Sequence, residues 1–333
     1  MAKPAAIGID VSSKQFHVAR HGHATVQVFE NSLHGRRALI KAIRRNRGPI
    51  SVALESTGPY GLALAIGLHK VRRIDVRYIN PGAAKGYASR GLVRSKTDRV
   101  DAHALARMAH DRVGDPWQPP SEHALNMRSW ARRIRTLVND RTREKNRLQS
   151  TEATGVLPAE LLADIENSIA SLDERIAGLR YRLVEYARQD HQVSDRMDLL
   201  CSIKGIAEVT AVEILAELGC MPADLTARQL VAQAGLDPRS NQSGDRDRPR
   251  HISKMGSRYL RATLHMAALN TVRWVPEIQE FHRVLTKDRN KAQLVAYVAV
   301  ARKLLHTIHG MLRTETHFDP SRFYQPKRNS SGT

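Results

Sequence analysis

Cysteine is nearly absent from this chain of 333 residues, which has only Cys201 and Cys220. Two thiols cannot frame a disulfide-stapled fold or fill a structural zinc site, and their scarcity fits a reducing cytoplasm. Aromatic residues are also few, at 5%, which argues against a platform that stacks the bases of single strands. No apolar run approaches the ~20 residues of a membrane span. No charged-then-apolar leader precedes the first strand, so neither a membrane segment nor a secretory signal is expected. Acidic residues are outnumbered: 33 Asp and Glu face 53 Lys and Arg, a net charge of +20. A chain this basic usually meets a polyanion, because each cation that neutralises a phosphate releases condensed counterions. A merely well-solvated surface is the plainer alternative. The basic residues are spread along the chain, which favours nucleic acid over a membrane surface. With so few rings, duplex DNA or structured RNA held through its backbone is the expected partner. Charge names a partner class and no chemistry.

What is present is an alternation of strands and helices in the first third. Ala5–Val11, Gln15–Arg20 and Ala24–Phe29 read as three strands of an antiparallel meander, with His21-Gly22-His23 as a tight turn. Ser32 is suited to cap a helix running to about Arg45, with Leu33, Ala38, Leu39 and Ile43 on one face. Ile50–Leu54 is the next strand and Tyr60–His69 a helix. Val76–Ile79 is a strand stopped by Asn80-Pro81-Gly82, and Asp98–His110 a last helix. The order βββαβαβα is that of an RNase H-type sheet. Gly114-Asp115-Pro116 and Pro119-Pro120 then mark a linker. A basic helix follows over about Glu122–Gln149. The next helix places Leu162, Ile165, Ile169, Leu172, Ile176, Leu179, Leu183 and Tyr186 at alternating steps of three and four. That is the heptad seam of a coiled coil, closing on the preceding helix or on another subunit. From about Val193 helices are expected at Ala207–Leu218, Ala227–Ala234, Ser257–Arg273 and Lys291–Leu312, and the polar tail from Ser321 reads as frayed.

Asp10 interrupts the apolar strand Ile7-Gly8-Ile9-Asp10-Val11, and a lone buried carboxylate is unfavourable unless paired or on a metal. Glu55 repeats the situation at the end of Ile50–Leu54. Asp98 and Asp101, three residues apart, share one helix face, and Ala102, Leu105, Ala106 and Ala109 behind them can pack that helix on the sheet. Four carboxylates would thus converge where two strand ends meet a helix, and would repel one another without cations. Hard oxygen donors suit Mg²⁺, which in such a site serves phosphoryl transfer. Each acid also has a plainer role open to it. A strand-end acid accepts from a turn, and Asp98 and Asp101 complement a helix N-terminus, with Lys96 and Arg99 as partners.

Arg128, Arg132 and Arg135 on the basic helix read as a face that tracks a nucleic-acid backbone, beside the alternative of a solvated helix. Ile203-Lys204-Gly205-Ile206-Ala207 is reminiscent of a helix-hairpin-helix turn, which presents backbone N–H groups to phosphates. Ala207 stands where a second glycine is usual, and helix packing is the other reading. The polar loop after Gly235 gathers Arg239, Arg246, Arg248, Arg250 and Lys254, with Arg258 beyond, around Ser240 and Ser243. His265, His306 and His309 have no metal-ligand spacing and are expected in packing or surface roles.

Gly8-Ile9-Asp10-Val11-Ser12, Glu55-Ser56-Thr57-Gly58 and Lys96-Thr97-Asp98-Arg99-Val100-Asp101-Ala102 resemble the DEDD recombinases. The resemblance continues in Gly235-Leu236-Asp237-Pro238, Ser243-Gly244 and the segment 252–261, and so covers nearly the whole chain. That family comprises Piv-type DNA invertases and insertion-sequence transposases guided by a bridge RNA. It implies an α/β RuvC/RNase H-like domain at 1–113, a basic-helix and coiled-coil connector at 114–194, and a mostly helical transposase domain at 195–333. It implies that Asp10, Glu55, Asp98 and Asp101 hold Mg²⁺. It further implies that a serine, Ser243 with Ser240 as the fallback, attacks a DNA phosphodiester to form a phosphoserine link. The arginines around that serine can hold phosphate oxygens. The implied partners are donor and target double-stranded DNA, a structured guide RNA and further copies of the chain. Dimers assemble into a tetramer, with the serine and carboxylates of one site drawn from different subunits.

Other readings stay open on the residues. An RNase H-fold nuclease or junction resolvase would use metal-activated water and need no serine, and a DNA invertase would act without guide RNA. An actin-like ATPase or sugar kinase can also open on Gly-Ile-Asp, but it needs a second glycine-rich phosphate loop that the sequence lacks. A non-catalytic scaffold would use the acids only to cap and pair.

Overall fold

In the computed structural model, residues 5–46, 48–56, 58–89, 97–153, 158–239, 242–243, 246–247 and 251–325 are described. The chain falls into two compact units, Met1–Pro119 and Pro120–Thr333.

In the first unit five strands form one mixed sheet in the order β3-β2-β1-β4-β5. They are β1 Ala5–Val11, β2 Gln15–Arg20, β3 Val26–Glu30, β4 Ile50–Glu55 and β5 Ile74–Ile79. The first three pair antiparallel, while β4 joins β1, and β5 joins β4, in parallel. This is the RNase H-like sheet that the order of elements predicts. Side chains alternate across it. Ile7, Ile9, Phe16, Val18, Val52, Leu54 and Val76 point to one face, where Leu39 and Ile43 of α1 (Leu33–Arg44) and Leu64 and Leu68 of α2 (Gly58–His69) complete the core. The opposite face carries Ala6, Ala19, Ala53 and Ile79. It is covered by α3 (Pro81–Ser89) and α4 (Asp98–His110), the latter through Ala102, Leu105, Ala106, Met108 and Ala109. Ser32 caps α1 by accepting from the Gly35 amide, and Thr97 caps α4 by accepting from Val100.

One local reading needs correction. Asn80-Pro81-Gly82 reads as a stop only, yet it also opens α3. The Asn80 carboxamide accepts from the Gly82 amide at 2.8 Å, and Pro81 occupies a first helical position where its missing N–H has no intrahelical partner to lose. The breaker segment after α4 does end the first unit, at Pro119, and it is also tied to the sheet. The Trp117 amide donates to the Val76 carbonyl at 2.7 Å, its ring lies 5.2 Å from Tyr78, and buried Arg77 donates to the carbonyls of Arg112 and Gly114.

In the second unit α5 (Glu122–Glu152) packs on α6 (Ala159–Arg188). Asn126 bonds Tyr186 and Arg141 bonds Asp173, the inverse pairing of an antiparallel hairpin. Ile165, Ile176 and Leu183 of the heptad seam are buried and its other members partly so, so the seam closes within the chain. α7 (His191–Cys201), α8 (Glu208–Leu218), α9 (Ala227–Gln233), α10 (Arg258–Trp274), α11 (Pro276–Arg283) and α12 (Gln293–Thr314) share one apolar core with this hairpin. α11 runs on into a π-helical turn at Val284–Asp288. The tail is not frayed at Ser321 as its polarity suggests. A short α13 (Pro320–Phe323) seats Phe323 at 2% exposure, with the Phe281 ring 6.0 Å away and the Lys303 ammonium over its face. Among the described residues no helix is long and apolar enough to cross a membrane, and both cysteines are free thiols.

Candidate functional site

Ala6, Gly8 and Asp10 lie on the face of β1 that meets α4. At Gly8 the helix descends until no side chain fits: a Cβ there would stand 2.1 Å from the Ala106 nitrogen and 2.2 Å from the Ala102 oxygen. Two residues beyond Gly8 is Asp10; Asp98, one helical turn before Ala102, and Asp101, one turn before Leu105, lie in the first turn of α4. β4 runs parallel to β1 with Leu54 level with Ile9, so Glu55 ends beside Asp10 on the same face. β2 runs antiparallel and places His17 directly across from Asp10.

The electrostatics record this convergence. The Asp10 carboxyl is pushed from 3.8 up to about 6, by burial first, then by repulsion from Asp98, Asp101 and Glu55, while His17 draws it down. Donor atoms of Asp10, His17 and Asp98 lie within 4.8 Å of one another. The His17 Nδ1 is 3.7 Å from an Asp98 oxygen, and it is buried without a hydrogen-bond partner. The donor atoms of Asp10, Asp98 and His17 together fit a divalent cation, whereas Glu55 and Asp101 are near enough for their charge to reach Asp10 but stand outside that close group. Sequence reasoning missed His17. Its one signal was a polar residue at the alternate position between Phe16 and Val18, and only the β1–β2 register gives that position meaning.

Ser243 lies in a short hairpin, where β6 (Gln242–Ser243) pairs antiparallel with β7 (Arg246–Asp247) and Ser243 opposes Arg246. The base of this loop is tied by backbone bonds. Arg239 donates to His251 and Ser253 to Asp237, both at 2.8 Å, and Lys254 donates to Gly235 at 3.1 Å. The Ser253 hydroxyl donates to the Asp237 carboxylate. Arg239, Lys254 and Arg258 are exposed around it. Ser240, Arg248, Arg250 and Lys96 lie outside the described residues, as do the side chains of Ser243 and Arg246.

The basic helix α5 is more committed internally than its charge suggests. Arg132 donates through Nε and Nη2 to Glu217 at 2.7 and 3.0 Å. Arg135 donates to Glu213 at 3.3 Å and to Thr263 at 3.2 Å. Glu217 is 4% exposed and also accepts from the Ser257 hydroxyl at 2.7 Å. These two guanidiniums therefore neutralise acids of α8 inside the second unit, whereas Arg128 is half-buried. The turn between α7 and α8 packs against the core of the second unit. Ile203 and Ile206 are buried, and Gly205, at φ +99°, approaches α10 so closely that a Cβ would lie 3.0 Å from Thr271 nitrogen. Lys204 and Ala207 stay exposed. His309 bonds the Leu225 carbonyl at 2.8 Å and His265 packs edge-on against Tyr297.

Residues 7–151 match a family model for a DEDD transposase of the IS110 type, and residues 197–283 match the transposase IS116/IS110/IS902 family, together more than two thirds of the chain. A pilin gene-inverting protein of Moraxella bovis is 28% identical over 94% of this chain and 97% of its own length. A probable family 20 transposase of Pseudomonas aeruginosa is 28% identical over 94% of this chain and 98% of its own length. A transposase for insertion sequence element IS1328 of Yersinia enterocolitica is 24% identical over 79% of this chain and 82% of its own. The first model spans the sheet and the acids on β1, β4 and α4, and the second spans the Ser243 hairpin. The chain belongs to the IS110-type DEDD transposases and invertases, enzymes that recombine DNA.

Proposed function

We propose that the chain is the transposase of a mobile insertion sequence. In this reading it cuts DNA with Ser243, uses Mg²⁺ held by Asp10, Glu55, Asp98 and Asp101, and is directed to donor and target by a structured RNA. The observation that supports the metal reading is the Asp10 carboxyl, which burial and three neighbouring acids hold at about 6. Such crowding is unfavourable alone and is relieved by a divalent cation. Bound there, Mg²⁺ would supply Lewis-acid polarisation of the scissile phosphate.

In the step assigned to Ser243, its Oγ bonds to phosphorus, a deoxyribose P–O bond breaks and the departing oxygen takes up a proton. Attack by a hydroxyl of another strand end then releases the serine and joins new partners. The Ser–O–P link conserves the phosphodiester, so rejoining needs no nucleoside triphosphate. Arg239, Arg246, Arg248, Arg250 and Lys254 hold phosphate oxygens near the serine. Arg128, Lys204 and Arg258 track the backbone. The active form is a homo-oligomer, a dimer or a tetramer of two dimers, working in the cytoplasm.

The test is Ser243→Ala with DNA carrying the element's ends and RNA transcribed from them. Recombination and the covalent DNA–protein adduct should both disappear, while Ser240→Ala retains them. Cutting that survives Ser243→Ala would replace this reading with a nuclease using metal-activated water. A second reading, inversion without guide RNA, draws on the pilin gene-inverting relative of Moraxella bovis. Recombination by protein stripped of RNA would favour it.

A further inference from the structure

We infer that His17 completes the carboxylate centre as a nitrogen ligand and tilts that centre from Mg²⁺ toward Mn²⁺. The inference rests on the metal reading above and concerns which ion the centre prefers.

Three observations carry it. The β1–β2 register sets His17 opposite Asp10, and cross-strand partners stand about 5 Å apart at Cβ. Its neighbours Phe16 and Val18 are buried in the core of the other face, so alternation commits the imidazole to the face of Asp10 and α4. The Nδ1 atom is buried and unbonded, beyond hydrogen-bond reach of Asp98 at 3.7 Å, while donors of Asp10, His17 and Asp98 cluster within 4.8 Å. Buried ring nitrogens normally find a partner. With the proton on Nε2, the Nδ1 lone pair is available to a cation.

The chemistry then selects the ion. Mg²⁺ demands oxygen donors and gives up its water reluctantly. Mn²⁺ shares the preference for carboxylates yet accepts imidazole, as in carboxylate–histidine dimanganese centres. A plain ion pair between His17 and Asp98 would leave the centre an all-oxygen one, with no nitrogen on the metal.

The experiment uses full-length protein loaded with Mn²⁺ alone and pulsed electron paramagnetic resonance. The bound Mn²⁺ should show a ¹⁴N coupling that converts to ¹⁵N when histidine is ¹⁵N-labelled. With 15 histidines in the chain, the signal must also vanish in Asp10→Ala, and in His17→Gln with Mn²⁺ still bound. Calorimetric titrations of Mn²⁺ and Mg²⁺ should show their affinity ratio falling on the order of tenfold in His17→Asp, which restores an all-oxygen set. Mn²⁺ that Asp10→Ala displaces but that shows no nitrogen coupling overturns the role of His17 and leaves the acid centre standing. Mn²⁺ binding indifferent to Asp10→Ala overturns the centre itself. If His17→Gln fails to fold, the isotope conversion and its loss in Asp10→Ala still decide the matter.

Discussion

Gly8 lies so close beneath Ala102 that a Cβ on it would sit 2.2 Å from the Ala102 carbonyl oxygen. Helix α4 therefore rests directly on the backbone of β1, and its first turn, with Asp98 and Asp101, is carried over Asp10. The glycine of Gly8-Ile9-Asp10 sets the height at which the acids meet.

Gly8→Ala should accordingly lift α4 and separate the acids. A cost of about 1–3 kcal/mol in stability is expected from overpacking, together with weaker Mg²⁺ binding by calorimetry. Gly310→Ala in α12, where a Cβ would meet nothing within 4 Å, should be stabilising by about 0.5–1 kcal/mol. Unchanged Mg²⁺ affinity in a folded Gly8→Ala protein would count against the close approach as the spacer.

The Asp10 shift has a sign that can be measured. Its folded value of about 6 lies above the unfolded 3.8, so the native state binds the proton more tightly. Stability of the metal-free protein should fall as pH rises from about 4 to 6 and then level off. Asp10→Asn should abolish that slope and be the more stable protein at pH 7.5, by about 1 kcal/mol once solvent screening of a half-exposed group is allowed for. Thermal midpoints in chelator across this window test it. Added Mg²⁺ should raise the midpoint of the unaltered chain and not of Asp10→Asn, and its affinity should weaken below about pH 6, where a proton competes.

Arg132 should behave as a stability residue. Removing it strands Glu217, which is 4% exposed, and Arg132→Ala should lose about 2–4 kcal/mol in denaturant unfolding. Exposed Arg133 should change stability by less than about 0.5 kcal/mol when replaced by Ala. If Arg133 contacts phosphate, its loss should lower the salt dependence of DNA binding by about one counterion. Equal stability of the two variants would refute the division.

Phe323→Ala should destabilise the second unit by about 3–5 kcal/mol, the usual effect of emptying a buried aromatic site. A frayed tail would show almost none, so chemical denaturation separates the two descriptions directly.

Much of the first unit was legible in the residues because it is written in local signals. Short strand-like runs bounded by turn residues delimit β1, β2 and β4, and Ser32 caps α1 through its own hydroxyl. An acid stranded in an apolar strand marked Asp10 without any structure. Pro81 misled because one residue can end a strand and begin a helix, and local sequence does not say which role prevails. Arg132 and Arg135 look alike as charges on a helix surface. Their acidic partners, Glu217 and Glu213, lie about 80 residues away in the chain and are met only through folding.

The sequence by itself determined the alternation of elements, the apolar seam of α6 and the oddity of Asp10 in an apolar strand, since each depends on neighbours within a few positions. Tertiary structure alone decided that His17 faces Asp10, that the seam closes within the chain, and that Phe323 is core. Those outcomes depend on strand register, helix height and packing between distant segments. A one-residue slip in any of them turns a side chain to the opposite face while leaving every local pattern intact.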